Sequence, residues 1–239
     1  MKRTLVSTAV LLLAGLAGAH WYFSDRGRFT TPPEYTDLGR SVVGNALHST
    51  YDPALTLRFD EGFNYIGGQK FILYGVADTE QHFFIETTED DQLKSIYWVQ
   101  FEAYLPDKSY TYDYEDSPLR VTLGDYGFYA DTAVFHNDPD RKRKRGTDGA
   151  LVRQFLASKG YAYPDEVIYA RLVNLTDATR KKELIIIFMD DLASYGMTAA
   201  QLNEGGSTAS QWPDIEKAHL DRIRKTLRVE NTPTAAAAQ

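Results

Sequence analysis

The sequence predicts an α+β domain built on a mostly antiparallel sheet of meanders and hairpins, with three helices packed on it. Two observations favour this class. Segments with the alternating pattern of strands follow one another between about residues 63 and 135, separated by short turns, and helical spacing is concentrated later in the chain. Successive strands followed by helices are typical of α+β folds, because parallel α/β folds alternate strands with helices.

The strands are indicated by alternation, by β-branched and aromatic residues, and by turn residues between them. Gly67-Gly68 is predicted to be the two-residue turn of a hairpin. Leu184–Phe188 is apolar on both faces, so we expect a central strand that is covered on both sides. The predicted strands are 63–66, 71–74, 82–86, 93–105, 119–123, 126–135, 166–175 and 183–189.

Helices are indicated by apolar residues three or four positions apart and by capping residues. Asp148 is expected to cap the first helix, and Gly160 to end it. Thr198 and Gln201 form a capping-box pattern at the second. One carboxylate of Asp190-Asp191 is expected to cap the short turn that follows. The predicted helices are 148–159, 197–204 and 213–228, with Ile215, His219, Ile223 and Leu227 on the apolar face of the last.

The beginning of the chain predicts export. Lys2 and Arg3 precede residues 4–24, which carry no charged side chain. Ala17-Gly18-Ala19 matches a signal-peptidase cleavage pattern. The alternative is a retained membrane anchor, with Trp21-Tyr22-Phe23 at the interface. Both interpretations predict an extracytoplasmic protein, either periplasmic or anchored in the inner membrane with its domain outside.

Composition sets further limits. The chain has 239 residues and no cysteine, which excludes disulfides, thiolate metal sites and cysteine nucleophiles. Its net charge of -7 argues against nucleic acid as a partner. We expect four segments: 1–24 as signal peptide or anchor, 25–40 as linker, 41–230 as a single domain, and 231–239 as a disordered tail. The five histidines lack metal-ligand spacing, so neither a metal nor another cofactor is expected.

The sharpest site hypothesis concerns the long strand 93–105. Tyr97, Val99, Phe101, Ala103 and Leu105 share a face that alternation assigns to the core. The other face combines aromatic and polar side chains, as a small-molecule pocket requires. The alternative is that this face packs beneath a helix or forms ordinary cross-strand pairs. The candidate ligand-binding residues are Trp98, Gln100, Glu102 and Tyr104.

A weaker candidate for acid-base chemistry lies just before that strand. Asp78, Glu80 and His82 alternate, so a continuous strand would place them on one face. A carboxylate beside an imidazole can fix its tautomer and raise its pKa. The alternative is that 78–81 is a solvated bend that scatters these side chains. The nucleophile patterns G-x-S-x-G and S-x-x-K do not occur in the sequence.

The main charge run is Arg141-Lys142-Arg143-Lys144-Arg145. It is interpreted either as a solvated loop or as a contact for anionic lipid head groups.

Three functions follow from the sequence patterns described above. The first is an exported envelope protein that binds a small apolar or aromatic ligand without catalysis. The second is a membrane-tethered interaction or scaffold protein of the cell envelope. The third is a hydrolase that uses Asp78, Glu80 or His82.

Overall fold

The computed structural model describes residues 26–141 and 144–231, and it has the predicted α+β architecture. The strands are β1 (Ser41–Val43), β2 (Ala46–Thr50), β3 (Ala54–Phe59), β4 (Asn64–Leu73), β5 (Ala77–Thr87), β6 (Leu93–Tyr104), β7 (Leu119–Leu123), β8 (Tyr126–His136), β9 (Glu166–Leu175), β10 (Lys182–Asp191) and β11 (Leu227–Asn231). The helices are α1 (Asp148–Ser158), α2 (Ala199–Leu202) and α3 (Trp212–Thr226), with short 3-10 turns at Arg26–Phe29, Leu192–Tyr195 and Ala209–Gln211.

The strands form two antiparallel sheets. The smaller sheet has the order β1-β2-β3-β11, and the larger has the order β4-β5-β6-β10-β9-β8-β7. β10 is the middle strand of the larger sheet: Ile186 lies opposite Val99 on one side and Leu172 on the other. The prediction of a covered central strand at Leu184–Phe188 is confirmed.

The main core fills the space between the two sheets. Leu55 and Leu57 of the smaller sheet belong to the same buried cluster as Tyr97 and Val99 of the larger one. The Tyr97 ring stacks on that of Phe188, with centroids 4.5 Å apart. The predicted core face of β6 is therefore correct through Phe101, because alternation turns these side chains inward.

The opposite face of the larger sheet is covered by α1. Val152, Phe155 and Leu156 join a second buried cluster with Phe83 and Trp98. Thr147, rather than Asp148, is the N-cap of α1, since its Oγ1 accepts a bond from the Ala150 amide at 3.2 Å. The capping box at Thr198 and the cap formed by Asp191 are present as predicted.

The predicted hairpin turn at Gly67-Gly68 is wrong. β4 continues through both glycines, with a register shift between Tyr65 and Gly67, and the chain instead reverses at Tyr74 and Gly75, where φ is 53° and 68°. The reason is packing. A Cβ on Gly68 would lie 2.5 Å from the Gln81 carbonyl oxygen, so glycine permits a close approach of two strands here.

The last helix ends earlier than predicted. Leu227 leaves the helix with φ -129° and ψ 127° and begins β11, which pairs with β3. Leu227 and Val229 are buried on either side of exposed Arg228, which is the alternation of a strand. The smaller sheet was absent from the sequence-based prediction altogether.

Residues 26–40, predicted as a linker, run along the outer edge of β4. The backbone of Glu34 pairs with that of Lys70 in both directions, at 2.9 and 2.8 Å, and the Thr31 amide donates to the Ile72 carbonyl at 3.0 Å. Across the described residues, we find no helix with the length and apolar character needed to cross a membrane. The predicted leader and the tail beyond Asn231 lie outside the described residues.

Candidate ligand-binding site

The predicted pocket face of β6 is closed at Trp98. Trp98 is 5% exposed and belongs to the buried cluster between α1 and the sheet. Its Nε1 donates to Gln100 Oε1 at 3.1 Å. The four predicted ligand-binding residues do share a face, but α1 and the segment after β6 cover that face, and Trp98 is packed as a core residue.

A row of buried amides crosses this face from strand to strand. Nε2 of Gln69 donates to Gln81 Oε1, and Nε2 of Gln81 donates to Gln100 Oε1, each at 2.7 Å. Gln100 Nε2 then donates to Glu102 Oε2 at 2.7 Å, and the Tyr112 hydroxyl donates to Glu102 Oε1 at 2.8 Å. The Tyr104 ring stacks on Tyr112 with centroids 4.3 Å apart. The row is an internal polar network in which each amide donates to the next group, while Gln69 Oε1 at its start lacks a partner among the described residues.

The network ends at a pair of carboxyl groups. Glu102 on β6 lies opposite Glu183 on β10, and Glu183 is 2% exposed. Burial, together with the charge of Asp148, raises the pKa of Glu102 to about 7, against the hydrogen bond from Tyr112. Burial and the charge of Glu102 raise the pKa of Glu183 to about 8. Both carboxyl groups therefore tend to keep a proton near neutral pH.

β5 is continuous, so Asp78, Glu80 and His82 lie on one face, as alternation requires, and the alternative of a solvated bend is wrong. His82 Nε2 donates to Glu80 Oε1 at 2.7 Å. The same carboxylate accepts the backbone amides of Gly39 at 2.8 Å and Arg40 at 3.0 Å. Burial opposes ionisation of Glu80, but these hydrogen bonds lower its pKa overall.

The chain of hydrogen bonds that begins at Glu80 continues from His82 to Tyr65. His82 is fully buried, and the Tyr65 hydroxyl lies 3.1 Å from its Nδ1. With Nε2 donating to Glu80, Nδ1 is the acceptor and the phenol donates to it. Asp78 takes no part in these hydrogen bonds: it is exposed and lines a cleft of about 290 Å³ beside Arg40, which Glu80 and Glu102 also line. There the Arg40 guanidinium is held between the rings of Tyr51 and Phe101, 4.2 and 4.0 Å from their centroids.

Tyr65 lines an open hollow between β4 and α1, with a volume of about 490 Å³. Three aromatic rings contribute to its wall, and two glycines in β4 leave space where side chains would otherwise stand. Lys159 and Ser158 at the end of α1 supply polar groups. The lining residues are Tyr35, Leu38, Tyr65, Gly67, Gly68, Phe155, Ser158 and Lys159.

The polar groups of this hollow include one phenol and one ammonium group near the rings. Burial and the charge of Glu80 raise the pKa of Tyr65 to about 12, so its phenol is neutral at physiological pH. The Lys159 ammonium lies 5.5 Å from the centroid of the Phe155 ring and is exposed. The hollow thus offers apolar rings, one neutral hydroxyl and one cation at its rim, a set of groups that can orient a small aromatic molecule.

Sequence reasoning missed most of this lining. Phe155 fell in the predicted helix 148–159 and Gly67-Gly68 was assigned to a turn, whereas Tyr35 and Leu38 fell in the predicted linker. The available signal was the pair of glycines inside an alternating apolar segment, which can mark a close approach as well as a turn. Among the described residues, no group of three or more histidine, aspartate and glutamate side chains is arranged to hold a metal ion.

The chain was compared with protein-family models, with curated proteins and with solved structures, and none of these comparisons gives a significant match.

Proposed function

We propose that this chain is an exported envelope protein whose domain binds a small aromatic or apolar ligand without transforming it, and that the ligand occupies the hollow between β4 and α1. The observation that carries the proposal is the hollow itself. Its volume of about 490 Å³ falls within the range of about 300–1,000 Å³ typical of small-molecule sites.

The wall of the hollow supports an aromatic ligand. Tyr35 is 59% exposed, and its ring centroid lies 6.2 Å from that of Phe155. A flat ligand can contact Tyr35, Tyr65 and Phe155 and gain from burial of apolar surface and from ring packing.

The environment of His82 supports binding without catalysis. Both of its ring nitrogens are engaged, with Glu80 and with Tyr65, and the imidazole has no exposed surface. The group nearest the hollow is the Tyr65 phenol, and burial and the negative charge of Glu80 oppose its ionisation. A hydrolase is the second candidate, favoured by the hydrogen-bonded chain Glu80–His82–Tyr65, which reaches the hollow.

The test is a screen of small aromatic compounds by ligand-observed NMR, followed by titration of each compound that binds. Tyr35→Ala removes one wall, and Ser158→Trp fills the space. Both should weaken binding at least about tenfold. Tyr110→Ala is the matched control, since Tyr110 is also largely exposed, at 54%, but lies outside the hollow.

If Tyr35→Ala and Ser158→Trp left the binding affinity unchanged, the ligand would bind outside the hollow. A screen without any bound compound would favour the scaffold function. Turnover of a bound ester or amide that is abolished by Tyr65→Phe would favour the hydrolase.

A further inference from the structure

The segment that follows the uncharged run of residues 4–24 contacts the basic loop. The Thr30 hydroxyl donates to the Gly146 carbonyl oxygen at 2.6 Å. At Gly27, a Cβ would lie 1.8 Å from the Arg145 carbonyl oxygen, so the two backbones touch and Gly27 is buried against the loop. The two stretches, more than 100 residues apart in sequence, therefore form one surface.

That surface is positively charged. Arg141, Lys144 and Arg145 are exposed, and Arg28 and Arg145 line a hollow of about 410 Å³ beside the start of α1. Among the ion pairs between described residues, none involves Arg141, Lys144 or Arg145. The exposed acids beside these four cations are Asp138 and Asp140.

Covalent geometry limits how far this surface can lie from the uncharged run. Gly27 is three residues beyond Ser24. Three residues span at most about 10 Å, at about 3.5 Å per residue. A bilayer that holds residues 4–24 would therefore have its surface within about one Debye length of the basic loop, where charge attraction is only partly screened.

We infer that Arg28, Arg141, Lys144 and Arg145 form the face of the domain that rests on anionic phospholipid head groups. The occupant is the bilayer surface, because a short tether beside a positively charged surface matches a negatively charged plane. The inference is independent of the ligand proposed for the hollow between β4 and α1, since it uses other residues and another partner.

The experiment uses the full chain, made by cell-free synthesis with nanodiscs so that no peptidase removes the leader. Because the sequence lacks cysteine, Asp140→Cys introduces one labelling site beside the basic surface. Glu61→Cys is the matched control, since Glu61 is exposed and precedes the end of β4 that lies away from the 26–34 segment. A fluorophore on each is quenched by head-group nitroxide lipid, in nanodiscs with and without phosphatidylglycerol.

In phosphatidylglycerol nanodiscs, the label at 140 should be quenched at least about twofold more than the label at 61. This difference should shrink in neutral phosphatidylcholine nanodiscs and at 0.5 M salt. Replacing Arg28, Arg141, Lys144 and Arg145 by Gln should also remove it, with an unchanged melting temperature. The inference is overturned if the two labels are quenched equally, if lipid charge has no effect, or if the Gln variant behaves like the parent. Absence of quenching at 140 in anionic nanodiscs overturns it too, whether or not the chain associates with them.

Discussion

Glu102 and Glu183 lie directly opposite each other on neighbouring antiparallel strands, with their side chains on the same, covered face of the larger sheet. Glu102 is tied to Gln100 and Tyr112, whereas Glu183 Oε2 lacks a hydrogen-bond partner among the described residues. Two carboxyl groups this close titrate as a pair, so the protonation of each depends on the other. The pair makes the interior of the domain sensitive to pH.

The first prediction is that this pair destabilises the domain as pH rises. In the unfolded chain a glutamate titrates near pH 4.5, while in the folded domain the pKa values are about 7 for Glu102 and about 8 for Glu183. The folded state therefore binds more protons between these limits, and the associated stability, fully present below pH 4.5, is lost as pH rises through 7 and 8. Urea unfolding between pH 5 and pH 9 measures this loss.

Glu183→Gln keeps the side-chain shape but cannot ionise. It should reduce the loss of stability between pH 5 and pH 9 by on the order of 2 kcal/mol, less than the isolated pKa shift implies because Glu102 still titrates. Glu61→Gln, at an exposed position, serves as control and should leave the slope unchanged. Equal slopes for the parent and Glu183→Gln would contradict the raised pKa of Glu183.

The second prediction concerns acid and His219. Burial, with a contribution from the Arg222 guanidinium, lowers the pKa of His219 to about 4, against the charge of Asp190. The unfolded chain binds this proton near pH 6.5, so stability falls as pH drops from 6.5 towards 4. His219→Gln should flatten this limb, and His136→Gln, at an exposed histidine, should not. A His219 imidazole that titrates near 6.5 by NMR would disprove the prediction.

The third prediction is that Trp98 behaves as a core residue. Trp98→Ala should cost about 3–5 kcal/mol of the free energy of unfolding, because it leaves a cavity between α1 and the sheet. Trp98→Phe retains a ring and loses the bond to Gln100, so it should cost clearly less. Urea unfolding at one pH measures both. A cost below about 1 kcal/mol for Trp98→Ala would instead restore Trp98 as the wall of an open pocket.

The sequence was a sound guide wherever a single period dominated. Alternation in 93–105 identified the buried face of Tyr97 and Val99, and the doubly apolar Leu184–Phe188 identified the central strand. It failed where one signal had two physical causes. A pair of glycines supports either a turn or a close approach of strands, and only the position of Gln81 on the neighbouring strand decides between them.

The candidate site shows the same limit. The prediction that a continuous strand places Asp78, Glu80 and His82 on one face is correct. The backbone partners of Glu80 could not be predicted, because the amides of Gly39 and Arg40 belong to a segment without a periodic pattern. Contacts between residues far apart in sequence leave no local pattern. The hollow beside Tyr65 depends on three such contacts, from Tyr35, Leu38 and Phe155, and could not be predicted from spacing alone.

The last prediction tests whether Gly68 is required for strand packing. A Cβ at Gly68 would stand 2.5 Å from the Gln81 carbonyl oxygen and 3.0 Å from His82 Nδ1. Gly68→Ala should therefore destabilise the domain by about 1–3 kcal/mol, the usual cost of overpacking, and disturb the bond between His82 and Tyr65. Gly127→Ala is the matched control, since Gly127 also lies in a strand but its Cβ would meet nothing within 4 Å. That change should be neutral or stabilise by up to about 1 kcal/mol. Urea unfolding measures the difference, and the NMR resonances of the His82 ring report the bond. If Gly68→Ala left the free energy of unfolding as little changed as Gly127→Ala, β4 and β5 would not be in the close contact that shapes the hollow and the hydrogen bonds among Glu80, His82 and Tyr65.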